Sequence, residues 1–320
     1  MRNTNLSHSK NFLDLTSRDL ARLFGTTQKE LQTYCRDLIA TFDFRYRKFE
    51  GEERDQLILQ VLTHINSEEL TVAGQKRQSD WQIGWNENLQ EFIDSGYDVG
   101  KLVPKYFKKN VPVRLNRDYV MPVNENFVLD VTKIFRSWLF QKYFENTESI
   151  YEFGCGSAFH LAFLSSLYPK KKLFGFDWVE PSQEIVRLLA QHYGWSIQGG
   201  KFDFFHPDED LKIESNSAVF TFGALEQIGK NHGPFLDFLL KNCPELCINI
   251  EGLSELYEED NLLDYLALKY HKRRQYLDGY LTRLRELEKE AKIEIIKVHH
   301  QFFGNLFDDP HSYVIWKPKK

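Results

Sequence analysis

The chain predicts an α/β fold: a doubly wound, seven-stranded, mainly parallel sheet ending in an antiparallel hairpin, with a helical N-terminal cap. Three observations predict it. From residue 149 onward, apolar runs of strand length alternate with segments of helical spacing, the pattern of a parallel sheet with crossover helices. The first run, Ser149 to Phe153, enters a glycine turn, Gly154-Cys155-Gly156, and an apolar helical pattern leaves it. The last two runs are joined by about a dozen residues without helical spacing, which suits an antiparallel return.

Residues 1–10 are polar and read as disordered. Ser17 is the expected N-cap of a helix that Gly25 ends, and Thr26 or Thr27 that of the next. A helix, a glycine and a second helix also fit a helix-turn-helix, but the nearby charges are balanced rather than basic, which favours a helical cap. Residues 42–64 continue as helix with a charged link. Trp81, Trp85, Leu89 and Phe92 share one helix face. That face either packs on the main domain or presents Trp85 and its neighbours to a ligand. Pro104, Pro112 and Pro122 then divide the chain into extended pieces that carry Arg114, Asp118 and Tyr119. Residues 127–144 return as helix to the first strand. The division expected is 1–145 for the cap and substrate region and 146–320 for the sheet domain. Strands are expected at 149–153, 172–177, 196–200, 217–222, 245–251, 293–299 and 312–317. Helices are expected at 158–168, 181–193, 233–242 and 259–290.

Composition excludes several classes. A net charge of −5 over 320 residues argues against a general nucleic-acid binder. No apolar run approaches the ~20 residues of a membrane helix, and the N-terminus lacks the apolar core of a signal peptide. Cytoplasm is the expected location, with no membrane partner. Four cysteines do not make a disulfide framework in a chain this long. Cys243 and Cys247 have no second ligand pair nearby, so no metal is expected.

In an open α/β sheet, ligands bind at the carboxyl ends of the strands. Gly154 and Gly156 follow the first strand. Asp177 ends the second, where a carboxylate can accept both hydroxyls of a ribose. Asp203 and Phe204 follow the third and suit an adenine amino group and ring. Gly223-Ala224-Leu225-Glu226-Gln227 follows the fourth, Glu251-Gly252 the fifth, and His299-His300 the sixth. The dinucleotide pattern G-x-G-x-x-G fails at Phe159, and no phosphate-binding G-x-x-x-x-G-K-[ST] occurs. The ligand expected is a nucleoside without a pyrophosphate.

Glu152-Phe153-Gly154-Cys155-Gly156-Ser157-Ala158 resembles the first motif of Rossmann-like class I S-adenosylmethionine-dependent methyltransferases, E/D-x-G-x-G-x-G, with Ala158 in place of its last glycine. Asp177, the pair Asp203-Phe204, the segment Ala224-Leu225-Glu226-Gln227-Ile228 and the terminal hairpin are similar to further features of that family. The likeness spans residues 145–320. It implies S-adenosylmethionine as cofactor, with Glu152 orienting its ammonium, Gly154, Cys155 and Gly156 along its tail and ribose, Asp177 on the ribose hydroxyls, Trp178 over the adenine, Asp203 and Phe204 at the adenine edge, and Gly223 beside the cofactor. Structural roles stay open: Glu152 as a capping acid, Asp177 as a loop residue, Asp203 as a turn former before Pro207.

Methyl transfer to a hydroxyl needs a base. The candidates are Glu226, His232, Glu251, His299 and His300, with at most one of the two adjacent histidines facing a shared pocket. Glu251 is the best placed of them in sequence. Trp85, Arg114, Tyr119 and Arg273 are candidate substrate contacts, and Arg273 and Arg274 could pair with an acidic acceptor. The acceptor expected is a small molecule, such as a sugar or natural-product intermediate. Alternatives are a protein or RNA methyltransferase and a non-catalytic methyltransferase-fold subunit. The charged 255–290 segment could also serve a homodimer contact.

Overall fold

A computed structural model describes residues 12–319, so the expectation for residues 1–10 lies outside the described residues. The N-terminal part contains β1 (Leu13–Asp14), α1 (Ser17–Leu23), α2 (Gln28–Ala40), β2 (Arg45–Lys48), α3 (Gly51–Ile65), α4 (Gln78–Asp94), β3 (Val113–Leu115), β4 (Asp118–Pro122) and α5 (Phe127–Phe144). The rest contains β5 (Ser149–Phe153), α6 (Phe159–Leu167), β6 (Lys172–Asp177), α7 (Glu180–Tyr193), β7 (Ile197–Lys201), β8 (Ser217–Phe222), α8 (Gly233–Asn242), β9 (Leu246–Glu251), α9 (Leu262–Arg274), α10 (Tyr280–Lys289), β10 (Ile293–His299), β11 (Phe303–Gly304) and β12 (Ser312–Pro318).

The main sheet has seven strands in the order β10-β12-β9-β8-β5-β6-β7. Five neighbours run parallel, and β12 runs antiparallel to both β9 and β10. This is the doubly wound sheet with a reversed terminal strand that the sequence predicts. Strand order reverses beside β5, which places the glycine turn at the switch point where such sheets bind ligands.

Successive residues of a strand face opposite layers. Ile150, Phe220, Ile248 and Ile315 pack with α5, α6 and α7 on one face. Tyr151, Val219, Cys247 and Trp316 pack with α8 and α10 on the other. The central strands are buried on both faces, which is why they read as unbroken apolar runs. One polar residue in this core is fully matched. Asn249 on β9 accepts from Trp316 Nε1 at 2.8 Å and from Tyr280 Oη at 2.7 Å, and donates to Thr221 Oγ1.

Four expectations need correction. The cap is not wholly helical: it holds a second, five-stranded sheet, β1-β2-β4-β3-β11. Residues 45–48 are therefore a strand and not a continuation of helix, since Arg45-Tyr46-Arg47-Lys48 pairs its backbone with β1 and β4. The 259–290 segment is two helices, broken where Gln275 and Gly279 take left-handed conformations. The first helix is capped by Thr16, one residue ahead of Ser17, in a reciprocal box with Asp19.

Replacing Asn249 with leucine leaves the Trp316 N–H and Tyr280 O–H buried without an acceptor. We expect a loss of about 3 kcal/mol in urea unfolding, from roughly 1–3 kcal/mol per orphaned buried group. A change below about 0.5 kcal/mol would show that the network contributes little.

Candidate functional site

The glycine turn is built by backbone needs. Gly154, Gly156 and Ala158 all have positive φ, at 77°, 52° and 56°. A Cβ on Gly154 would lie 2.3 Å from the Ala224 Cβ, and one on Gly156 would lie 2.7 Å from the Trp85 indole. Ala158 bears a left-handed conformation that glycine takes more cheaply, and α6 starts directly after it. Asp177 closes the turn. Its Oδ2 accepts from the Gly156 N–H at 2.9 Å and its Oδ1 from the Val179 N–H. Burial raises its carboxyl to about 6, while these N–H groups hold it down. Ser157 fastens the turn to the cap by donating to the Leu102 carbonyl at 2.6 Å.

Glu152 is the penultimate residue of β5, just before the turn, and its Oε2 is buried without a partner. Burial, and then Asp177, raises this carboxyl well above the usual range, against the pull of Arg136. Arg136 on α5 is itself buried, with its guanidinium between the rings of Phe159 and Phe163 at 3.9 and 4.4 Å. Burial lowers it to about 9. Sequence reading passed over it; a lone arginine in the run Ile134-Phe135-Arg136-Ser137-Trp138 is the signal it left.

Three cavities meet at Gly223 and Trp81. The aromatic one is narrow, about 60 Å³. Gly154, Asp177, Trp178, Phe204 and Phe205 line it, and the Trp178 and Phe205 rings stack 6.4 Å apart. A smaller one lies along the turn, lined by Glu152, Cys155, Gly156, His160 and Trp85. The third is polar, about 260 Å³, and carries Glu226, Arg274, Asp308 and His311. Trp81, Tyr106, Phe222 and Gly223 line both the turn cavity and the polar one.

The ionisable groups of the polar cavity diverge. Burial, then Asp308 and Glu251, pushes Glu226 up to about 8. Asp308 is also buried, but the imidazole of His271, 2.9 Å away, together with Asn305, outweighs that burial and holds it below the usual carboxylate range. Burial lowers His311 to about 4, so its ring is neutral near pH 7. Its Nδ1 is buried with no partner. His311 and Asp308 went unnoticed as site residues because a loop in sequence does not say which way its side chains turn.

Several candidates lie elsewhere. Glu251 is fully buried and lines none of these cavities; its Oε1 accepts from the Ala224 N–H and so shapes the loop after β8. Burial raises it to about 7. His232 sits at the start of α8, bonded to the Asp278 carbonyl. His300 meets Asp309 at 3.3 Å and lies tilted against the Phe302 ring, while His299 meets the Leu23 carbonyl. Asp203 folds onto its own loop, its Oδ1 accepting from the Phe205 N–H, so the turn-forming role is the one observed. Arg114 is buried between Asp264 and Asp309 and cannot reach a substrate. Tyr119 is buried too, its hydroxyl donating to the Leu306 carbonyl. Arg273 is exposed; its neighbour Arg274, a 100° step around α9, is the one lining the cavity.

No protein-family description matches the chain, and neither does any curated protein. Solved structures with a similar fold include an O-methyltransferase family 2 protein from Planctomyces limnophilus, at 13% identity and a TM-score of 0.40. That match covers 56% of this chain and 52% of the other, so it spans about half of that protein's length. An O-methyltransferase from neocarzinostatin biosynthesis matches over 95% of this chain and 89% of its own, at 14% identity and a TM-score of 0.41. Human N-acetylserotonin methyltransferase matches over 92% and 71%, at 12% identity and 0.41. Superpositions this loose say nothing about a ligand. The strand order and the reversed β12 stand by themselves, and they are those of the class I methyltransferase fold.

Proposed function

We propose that this chain is an enzyme that transfers a methyl group from S-adenosylmethionine to a hydroxyl of a small molecule. One observation carries the reading. An aromatic cavity against the glycine turn, lined by Gly154, Asp177 and Trp178, touches a polar cavity with ionisable walls at Gly223 and Trp81. In this reading residues 1–145 close over the acceptor and residues 146–320 hold the cofactor.

The residues present fit that cofactor. Glu152 has an orphaned carboxylate oxygen in the turn cavity, which suits an ammonium group. Trp178, Phe204 and Phe205 offer flat apolar walls for an adenine. Asp177, already held by two N–H groups, keeps lone pairs for a ribose hydroxyl. Gly154 and Gly156 leave the backbone open to close approach. When bound, the sulfonium supplies an electrophilic methyl group, and the protein's share is orientation and a dry site.

The acceptor side needs a group that removes a proton. Glu226 is the candidate, because it lines the polar cavity next to Gly223, where the two cavities touch. Its raised pKa makes the carboxyl protonated below about 8 and a base above it. Asp308, kept ionised by His271, and neutral His311, whose ring lies 5.0 Å from that of Phe222, orient the hydroxyl.

Titration calorimetry with S-adenosylhomocysteine tests the cofactor. We expect binding by the wild type and a loss of about tenfold or more, ~1.4 kcal/mol, for Asp177→Ala, since the turn loses its brace. A wild type that does not bind it overturns the reading. Transfer of a labelled methyl group to a hydroxyl acceptor should rise with pH and level off above about 8. Glu226→Gln should flatten that profile and lower the rate by roughly 10²–10⁴. An unchanged profile assigns the proton to another group.

A further inference from the structure

The polar cavity contains a cation with no matching anion. Arg274, the last residue of α9, donates from Nη1 to Thr71 Oγ1 at 3.0 Å and from Nη2 to Tyr276 Oη at 2.6 Å. Both partners are neutral. Its guanidinium lies 4.7 Å from the Tyr276 ring centre and 5.7 Å from that of Tyr270. The Nε–H is buried with no acceptor. Among the described residues no carboxylate forms an ion pair with Arg274, whereas the second arginine on this cavity, Arg77, is matched by Asp80 at 2.8 Å. A half-buried guanidinium held in place by hydroxyls and rings, with donors to spare, is arranged for an anion.

The cavity also sets where that anion sits. Tyr106, Phe222, Gly223 and Trp81 form the part shared with the turn cavity, whereas Arg274 and Tyr270 line the polar cavity alone. Glu226 lines this cavity as well, and its raised pKa leaves it uncharged near neutrality, so it does not repel an incoming anion. Asp308 is committed to His271 and Asn305. The flanking walls are aromatic: Trp81, Tyr106, Phe107, Phe222, Tyr270 and Tyr276.

We propose that Arg274 binds a carboxylate on the methyl acceptor, and that the acceptor is a hydroxylated aromatic acid whose hydroxyl points toward Glu226 and Gly223. This inference rests on the methyltransferase reading above. The guanidinium sets the register of the ring: with the carboxylate on Arg274, the hydroxyl reaches the part where the two cavities join. The planar fork of arginine matches a carboxylate through paired N–H donors, which a lysine cannot reproduce.

The test is calorimetric, with protein saturated by S-adenosylhomocysteine. The probes are 4-hydroxybenzoate, 4-hydroxycinnamate and their primary amides. We expect at least one acid to bind, and its amide to bind about tenfold more weakly or worse. Arg274→Met should bring the acid down to the level of the amide and leave S-adenosylhomocysteine affinity unchanged, which also shows that the variant is folded. Arg274→Lys should fall between. The proposal is overturned if acid and amide bind alike, if neither acid binds, or if Arg274→Met holds the acid as tightly as wild type. Failure of S-adenosylhomocysteine to bind wild type would instead overturn the methyltransferase reading; the acid and amide titrations, repeated without it, still decide the role of Arg274.

Discussion

A buried guanidinium joins the two parts of the molecule. Arg114 on β3 reaches Asp264 on α9 at 3.3 Å, Asp309 ahead of β12 at 3.2 Å, and the Phe307 carbonyl at 3.1 Å. All three side chains are almost wholly removed from water. Arg117 takes the second oxygen of Asp264. Such a cluster adds little net stability, because desolvation offsets much of the attraction. Breaking it is another matter, since removing one partner strands a buried charge at a cost of about 3–5 kcal/mol. Geometry is what it secures. α9 carries Arg274 and the loop carries Asp308 and His311, so the joint that holds the cap also fixes these walls of the polar cavity.

Within that cavity, environment sorts groups of similar chemistry. Glu226 is a half-buried carboxyl group and Asp308 a buried one. The first has Gln227 as a hydrogen-bond partner and is surrounded by other acids, so it holds its proton. The second has an imidazole and an amide as donors, so it does not. Two acids driven apart in this way can take different parts in one reaction. The glycine turn uses a third acid differently again. Asp177 gives one oxygen to the Gly156 N–H of the turn and the other to the Val179 N–H, and so ties the turn to the end of β6.

Most of the sheet domain was legible because its central strands are buried on both faces and must be apolar throughout. The cap sheet was not. β1 is two residues long, and β2 reads Arg-Tyr-Arg-Lys, with neither alternation nor apolar bulk. Its final strand, β11, comes from the far end of the chain. At the site, the glycine turn and Asp177 could be found by spacing, because local backbone geometry demands them. Arg114 misled for a physical reason. An arginine among apolar residues marks either a ligand site or a buried ion pair, and its partners here lie 150 and 195 positions away. The choice between Arg273 and Arg274 turns on helix phase, and their neighbouring residues do not reveal it. His311 follows a proline in a loop, where no periodicity gives a direction.

The pairing of β11 with β3 has a consequence for how the chain acquires its shape. Leu115 and Arg114 find their partners in Phe303 and Gly304, and Asp309 lies beyond those. During synthesis, β3 and β4 emerge long before either. Until the last fifteen or so residues of the sheet domain follow, the cap sheet keeps an unpaired edge, and the arginine beside it keeps a charge that only solvent or Asp264 can satisfy. Domains made early usually fold early, but here the first part made must wait for the last. A ribosome-bound intermediate of this protein would carry an open strand edge of the kind other chains can add to, and its closure would coincide with the arrival of the loop that completes the polar cavity.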